Sequence, residues 1–233
     1  MVVESAARVK ATPETSPLRD ASAPVALEIR YDGRPVPLEI RAGKAEVREP
    51  REGQKVAFVL RKIDRTSDHY GVVLLVNDVN TLFKERTAAL RATKWILGPD
   101  HRETVIHGYQ TGEKTAEAFR VLSPEESKSN AVHYGPATGT IMLVVFREKA
   151  VREEPPLLDD EAEDVVALAR GVLPQERPQN LAALKFQLRE GAGQGQSRGL
   201  IVEGQRLGAA VRTVEFQPDP TPVMSATITY YRP

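Results

Sequence analysis

VALEIRYDGRPVPLEIR, residues 25–41, decides how the rest of the chain is read. Two runs that alternate apolar and charged residues flank Asp32-Gly33, a dipeptide suited to a two-residue hairpin because glycine takes positive φ without strain. Leu27 and Ile29 share one face, as do Leu38 and Ile40, while Glu28, Arg30, Glu39 and Arg41 point the other way. Pro35 and Pro37 have no N–H to donate, which places the second run at a sheet edge. The repeated LEIR, eleven residues apart, reads as the two arms of one hairpin.

More short runs follow. KVAFVLRKI (Lys55 to Ile63) alternates, with Val56, Phe58 and Leu60 on one face. GVVLLVN (Gly71 to Asn77) is apolar throughout and reads as a strand buried on both sides. TLF (Thr81 to Phe83), KWIL (Lys94 to Leu97), TVIHGYQ (Thr104 to Gln110), AFRVL (Ala118 to Leu122) and GTIMLVVFR (Gly139 to Arg147) complete the series. Turn residues separate them, among them Asp78 with Asn80, Gly98-Pro99-Asp100 and Thr111-Gly112. Ser123-Pro124-Glu125-Glu126 is a capping box that predicts one or two helical turns through Asn130. Residues 25–148 therefore predict an antiparallel β-sandwich domain, jelly-roll-like or C2-like.

Beyond Arg147 the composition changes. Residues 147–164 hold three basic and eight acidic side chains, with Pro155-Pro156 among them, and 149–157 reads as a linker. A small α+β domain is expected over 158–233. Leu158, Val165, Val166, Val172 and Leu173 form the stripe of a helix ended by Pro174. A second helix is expected from Gln179 to Glu190. Three strands follow: GLIVEG (Gly199 to Gly204), VRTVEFQ (Val211 to Gln217) and VMSATITYY (Val223 to Tyr231). PDPTP (Pro218 to Pro222) reads as a stiff hairpin connection between the last two.

Composition narrows the function classes. In 233 residues, 32 Lys and Arg balance 32 Asp and Glu, so no basic field favours nucleic acid. The absence of cysteine excludes disulfides, thiol nucleophiles and Cys-ligated metal. The longest apolar run, Ile141 to Phe146, is far below the roughly 18 residues of a membrane span. Residues 1–24 lack the apolar centre of an export signal, so a cytoplasmic location is expected.

Catalytic and cofactor motifs are not found in the sequence. His69, His101, His107 and His133 lack metal-ligand spacing. LLDDEAEDVV has no central glycine for a calcium loop, and its carboxylates suit a helix N-terminus. GAGQGQSRG (Gly191 to Gly199) follows a predicted helix and precedes a strand, the reverse of a phosphate cradle. No catalytic residue, cofactor or metal is therefore assigned.

The expected function is a non-catalytic protein–protein interaction or assembly module, whose partner is another chain, its own copy first. An N-terminal arm, residues 1–24, offers only Val2, Val3, Val9 and Leu18 as apolar anchors, so ordering it would take contacts outside itself. Trp95, Tyr109 and Tyr134 complete the candidate interaction residues. A small-ligand or carbohydrate site on the turn aromatics is the alternative, and requires exposed ring faces. A hydrolase site assembled from distant residues is a third reading.

Overall fold

A computed structural model describes residues 18, 22–41, 44–149, 169–174 (backbone only) and 199–232. Among these the chain is mainly β, with several antiparallel sheets and one α-helix. The strands before residue 100 are β1 (Val25–Tyr31), β2 (Arg34–Val36), β3 (Leu38–Arg41), β4 (Lys44–Val47), β5 (Val56–Lys62), β6 (Tyr70–Val76), β7 (Val79–Asn80) and β8 (Lys94–Leu97). Then come β9 (Glu103–Ile106), β10 (Gly108–Gly112), β11 (Thr115–Val121) and, beyond helix α1 (Pro124–Tyr134), β12 (Thr140–Arg147). The last four are β13 (Ala169–Pro174), β14 (Ile201–Gly208), β15 (Val211–Phe216) and β16 (Met224–Thr229).

They form three sheets. One runs β2-β1-β5-β9 and another β10-β11-β14, both antiparallel. The large sheet runs β15-β13-β8-β6-β12-β16-β4-β3, with β7 paired to β6 and parallel neighbours at β13/β8 and β16/β4. The boundary expected at 149–157 falls largely outside the described residues. Strands from its two sides share sheets, since β16 pairs with β12 and β14 with β11.

The unbroken apolar run of β6 has the predicted consequence. All seven of its residues are buried. Val72, Leu74 and Val76 lie opposite Val145, Leu143 and Ile141 of β12 and face the main core. Leu27, Ile29, Phe58 and Leu60 of the four-stranded sheet join that core, as do Tyr109, Phe119 and Val121 of the three-stranded one. Phe119 meets the edges of Phe58 and Tyr109 at ring-centre distances of 5.1 Å. On the opposite face of β6 and β12, Val73, Leu75, Val144 and Phe146 form a second cluster with Ala92.

Several sequence expectations are corrected. The Asp32-Gly33 turn forms, with φ of 52° and 78°, and joins β1 to β2. Pro37 then ends the ladder, and the second LEIR moves to the large sheet as β3 instead of pairing with the first. TVIHGYQ breaks at His107 into β9 and β10, which belong to different sheets. Thr81 to Phe83 is no strand. β15 and β16 are not a hairpin, because residues 218–223 bond across to β12 through Asp219 N–H to Arg147 O and Val223 N–H to Val145 O.

Residues 169–174, expected as the end of a helix, are strand β13. A short apolar stretch fits a helix stripe and a buried strand equally well, and here pairing with β8 and β15 decides. The remainder of that helix and the one expected at 179–190 lie outside the described residues.

The capping box is as predicted, but α1 is longer, eleven residues. Glu126 N–H donates to Ser123 Oγ at 3.2 Å, and Ser123 N–H to Glu126 Oε2 at 3.0 Å. Asn130 Nδ2, Ser127 Oγ and Ser129 Oγ donate to carbonyls four residues back, so the polar stretch stays helical. Ser123→Ala is expected to lower the unfolding free energy by about 1 kcal/mol, measured by urea denaturation.

Candidate interaction surface

The switch of the chain from β2 to β3 opens the surface. Pro35, Val36 and Pro37 wall a cleft of about 670 Å³ whose polar lining includes Arg34, Arg48 and Gln54. A second cleft of about 340 Å³ adjoins it, between β3, β4 and Arg232, and the two share Glu39 and Arg48. Tyr31 forms the floor, donating its hydroxyl to Arg48 O at 2.8 Å, and burial pushes that hydroxyl far above its ordinary range. Asp32 accepts from Gln54 Nε2 at 2.9 Å and from Lys55 N–H at 3.1 Å, which ties the β1–β2 turn to the approach to β5.

Strand β3 is the last of the large sheet, with no described strand beyond it. Leu38 and Ile40 are half-buried and pack against the main core, while Glu39 and Arg41 are exposed. The register with β4 sets Glu39 opposite Glu46 and Arg41 opposite Lys44. Like charges directly opposite each other destabilise an antiparallel pair. Relief comes from other directions. Arg41 Nη2 turns back to Glu39 Oε2 at 2.5 Å, and Arg232 pairs with Glu46.

The residues expected from sequence lie elsewhere. Trp95 and Tyr109 are only 4% and 2% exposed, so neither belongs to an interaction surface or presents a ring face to a sugar. Each is held by its surroundings. Trp95 Nε1 donates to Thr81 Oγ1 at 3.0 Å, and Tyr109 packs edge to face with Phe119. Tyr134 and Leu18 are half-buried against the main core. Val2, Val3 and Val9 lie outside the described residues.

Histidines form no centre. Among the described residues no group of three His, Asp or Glu side chains is placed to hold a metal ion. His69 Nδ1 lies 3.2 Å from Glu148 Oε2, and His101 Nε2 lies 2.8 Å from Thr104 Oγ1.

Two features escaped the sequence reading. Phe83 and Lys84 both take positive φ, 53° and 52°, in a turn where two bulky side chains are strained. Phe83 N–H donates to Gln110 O at 2.7 Å and Lys84 Nζ to Glu117 Oε2 at 2.5 Å, which hold the turn with Phe83 exposed. The second feature is a pair of buried lysines. Lys62 donates to Asp64 and to Thr66 O, and Tyr70 donates to Asp64 Oδ2 at 2.6 Å. Burial opposes the Asp64 charge, yet the hydrogen bonds from Lys62, Tyr70 and Thr66 hold its carboxyl below the ordinary value. Lys94 has no carboxylate within ion-pair distance among the described residues. Nothing in the spacing of either lysine distinguishes it from a solvated one.

Comparison with known protein families, characterised proteins and solved structures finds no match for the chain. Among the described residues, no helix is long and apolar enough to cross a membrane.

Proposed function

We propose that the protein is a non-catalytic interaction and assembly module, a β-sandwich that acts in the cytoplasm and takes other copies of its own chain as partner. The observation that carries this reading is the β3 end of the large sheet. An edge strand offers backbone donors and acceptors to another chain unless something covers or repels an incomer. β3 adjoins two open clefts and carries exposed side chains of both signs, Glu39 and Arg41, instead of a single repelling one. The sandwich part of the reading is supported by the main core, where side chains from one face of the large sheet pack with those of the two smaller sheets.

The test is a titration of fluorescently labelled chain with unlabelled chain. A saturable rise in anisotropy, reversed on dilution, is the expected result. Anisotropy that stays at the monomer value up to the solubility limit would overturn the assembly reading.

A further inference from the structure

We infer that the larger cleft binds an organic phosphate monoester, its dianion met by the Arg34 and Arg48 guanidinium groups and its apolar part resting on Pro35, Val36 and Pro37. The inference starts from which charges at this surface are already engaged. Asp32, Arg34, Glu39 and Arg48 are the charged side chains that line the cleft. Both carboxylates are taken: Asp32 accepts from Gln54 Nε2 and Lys55 N–H, and Glu39 pairs with Arg41. Arg232 likewise pairs with Glu46 next door. Arg34 and Arg48 differ, for among the described residues neither has a carboxylate within ion-pair distance.

Tyr31 holds the backbone of both arginines. Arg34 is its cross-strand partner in the β1–β2 ladder, and the Arg48 carbonyl accepts its hydroxyl at 2.8 Å. With that floor buried, the two guanidinium groups spring from fixed points, which lowers the ordering cost of binding. Pro35, Val36 and Pro37 form an apolar wall whose prolines have no rotamer freedom to lose. Each guanidinium offers a planar fork of donors that matches phosphate oxygens. A phosphate monoester carries roughly −1.5 to −2 charges at neutral pH, which two arginines balance. The volume of about 670 Å³ suits a ligand with a ring or short chain beside its phosphate. This site is independent of the assembly reading above.

Phenyl phosphate titrated into isotope-labelled full chain, followed by NMR, tests the site. The backbone amides of Arg34, Val36 and Arg48 and the side-chain amide of Gln54 are expected to shift and saturate together. Arg34→Gln and Arg48→Gln, both at exposed positions, should each weaken binding at least about fivefold. Arg206→Gln, at an exposed position of β14 outside the cleft, should change it by less than about twofold. The amide spectrum of each variant confirms that it is folded. Benzoate, a monoanion of similar shape, is expected to bind more weakly, and phenol to shift none of these signals. An absent or unsaturable shift, an equal loss in Arg206→Gln, or the same shifts with phenol would overturn the site. Benzoate binding as tightly as phenyl phosphate would overturn the phosphate assignment.

Discussion

Asn77→Ala is expected to lower the unfolding free energy by about 3–5 kcal/mol, the loss typical of a broken buried hydrogen-bond network. Asn77 is buried in the turn after β6 and satisfies three groups from distant parts of the chain. Its Oδ1 accepts from Gly139 N–H and from the Tyr230 hydroxyl, each at 2.9 Å, and its Nδ2 donates to Ile201 O at 2.9 Å. Alanine leaves the Gly139 donor and Ile201 acceptor without partners in the interior, where an unmade bond costs more than a made one gains. It also loses the tolerance of asparagine for the φ of 52° found here. Tyr230→Phe removes the hydroxyl that accepts from Ile201 N–H at 3.1 Å but spares the other two bonds, and is expected to cost about 1–2 kcal/mol. Urea denaturation of both variants checks the order. An Asn77→Ala loss below that of Tyr230→Phe would show that the network does not join the strands on either side of residues 149–157.

Stability should rise, not fall, as the solution is made moderately alkaline, and Lys94 is the reason. Its side chain is fully buried, with Nζ 2.7 Å from both Leu90 O and Ala92 O and 5.1 Å from the centre of the Phe146 ring. Burial pushes the amine down to about 8, and the Glu85 carboxylate offsets only part of that. In the unfolded chain the same amine titrates near its ordinary 10.5. Below pH 8 the folded protein must bury a cation, and this penalty disappears as pH rises from the folded towards the unfolded value. The gain amounts to at most about 3 kcal/mol. Tyrosines set the upper limit. Tyr31 and Tyr230 are held protonated by burial, so above about pH 10 their ionisation favours the unfolded chain. The expected profile climbs between pH 8 and 10 and then turns down. Lys94→Met should remove the climb, and an equal climb in that variant would assign it to another group.

Local structure in this chain is written in local sequence. The Asp32-Gly33 turn needs only its own backbone angles, and the Ser123 cap only residues 123 to 126. The double burial of β6 follows from having no polar residue between Val72 and Val76. What the sequence leaves open is where a strand goes after it forms. The two LEIR segments have the same pattern, and Pro37 alone separates a strand of one sheet from the edge of another. β13 has the periodicity of a helix and becomes a strand because two neighbours pair with it. Trp95 and Tyr109 adjoin polar residues or turns in sequence and are closed over only by packing from other elements. The candidate surface itself depends on register. Glu39 and Arg41 read as ordinary edge charges until Glu46 and Lys44 are known to stand opposite them.

Sedimentation equilibrium of the full chain across a wide concentration range tests assembly most directly. The average mass should climb from that of one 25.7 kDa chain towards twice that value as concentration rises. A mass fixed at 25.7 kDa at every concentration and at low salt would contradict it.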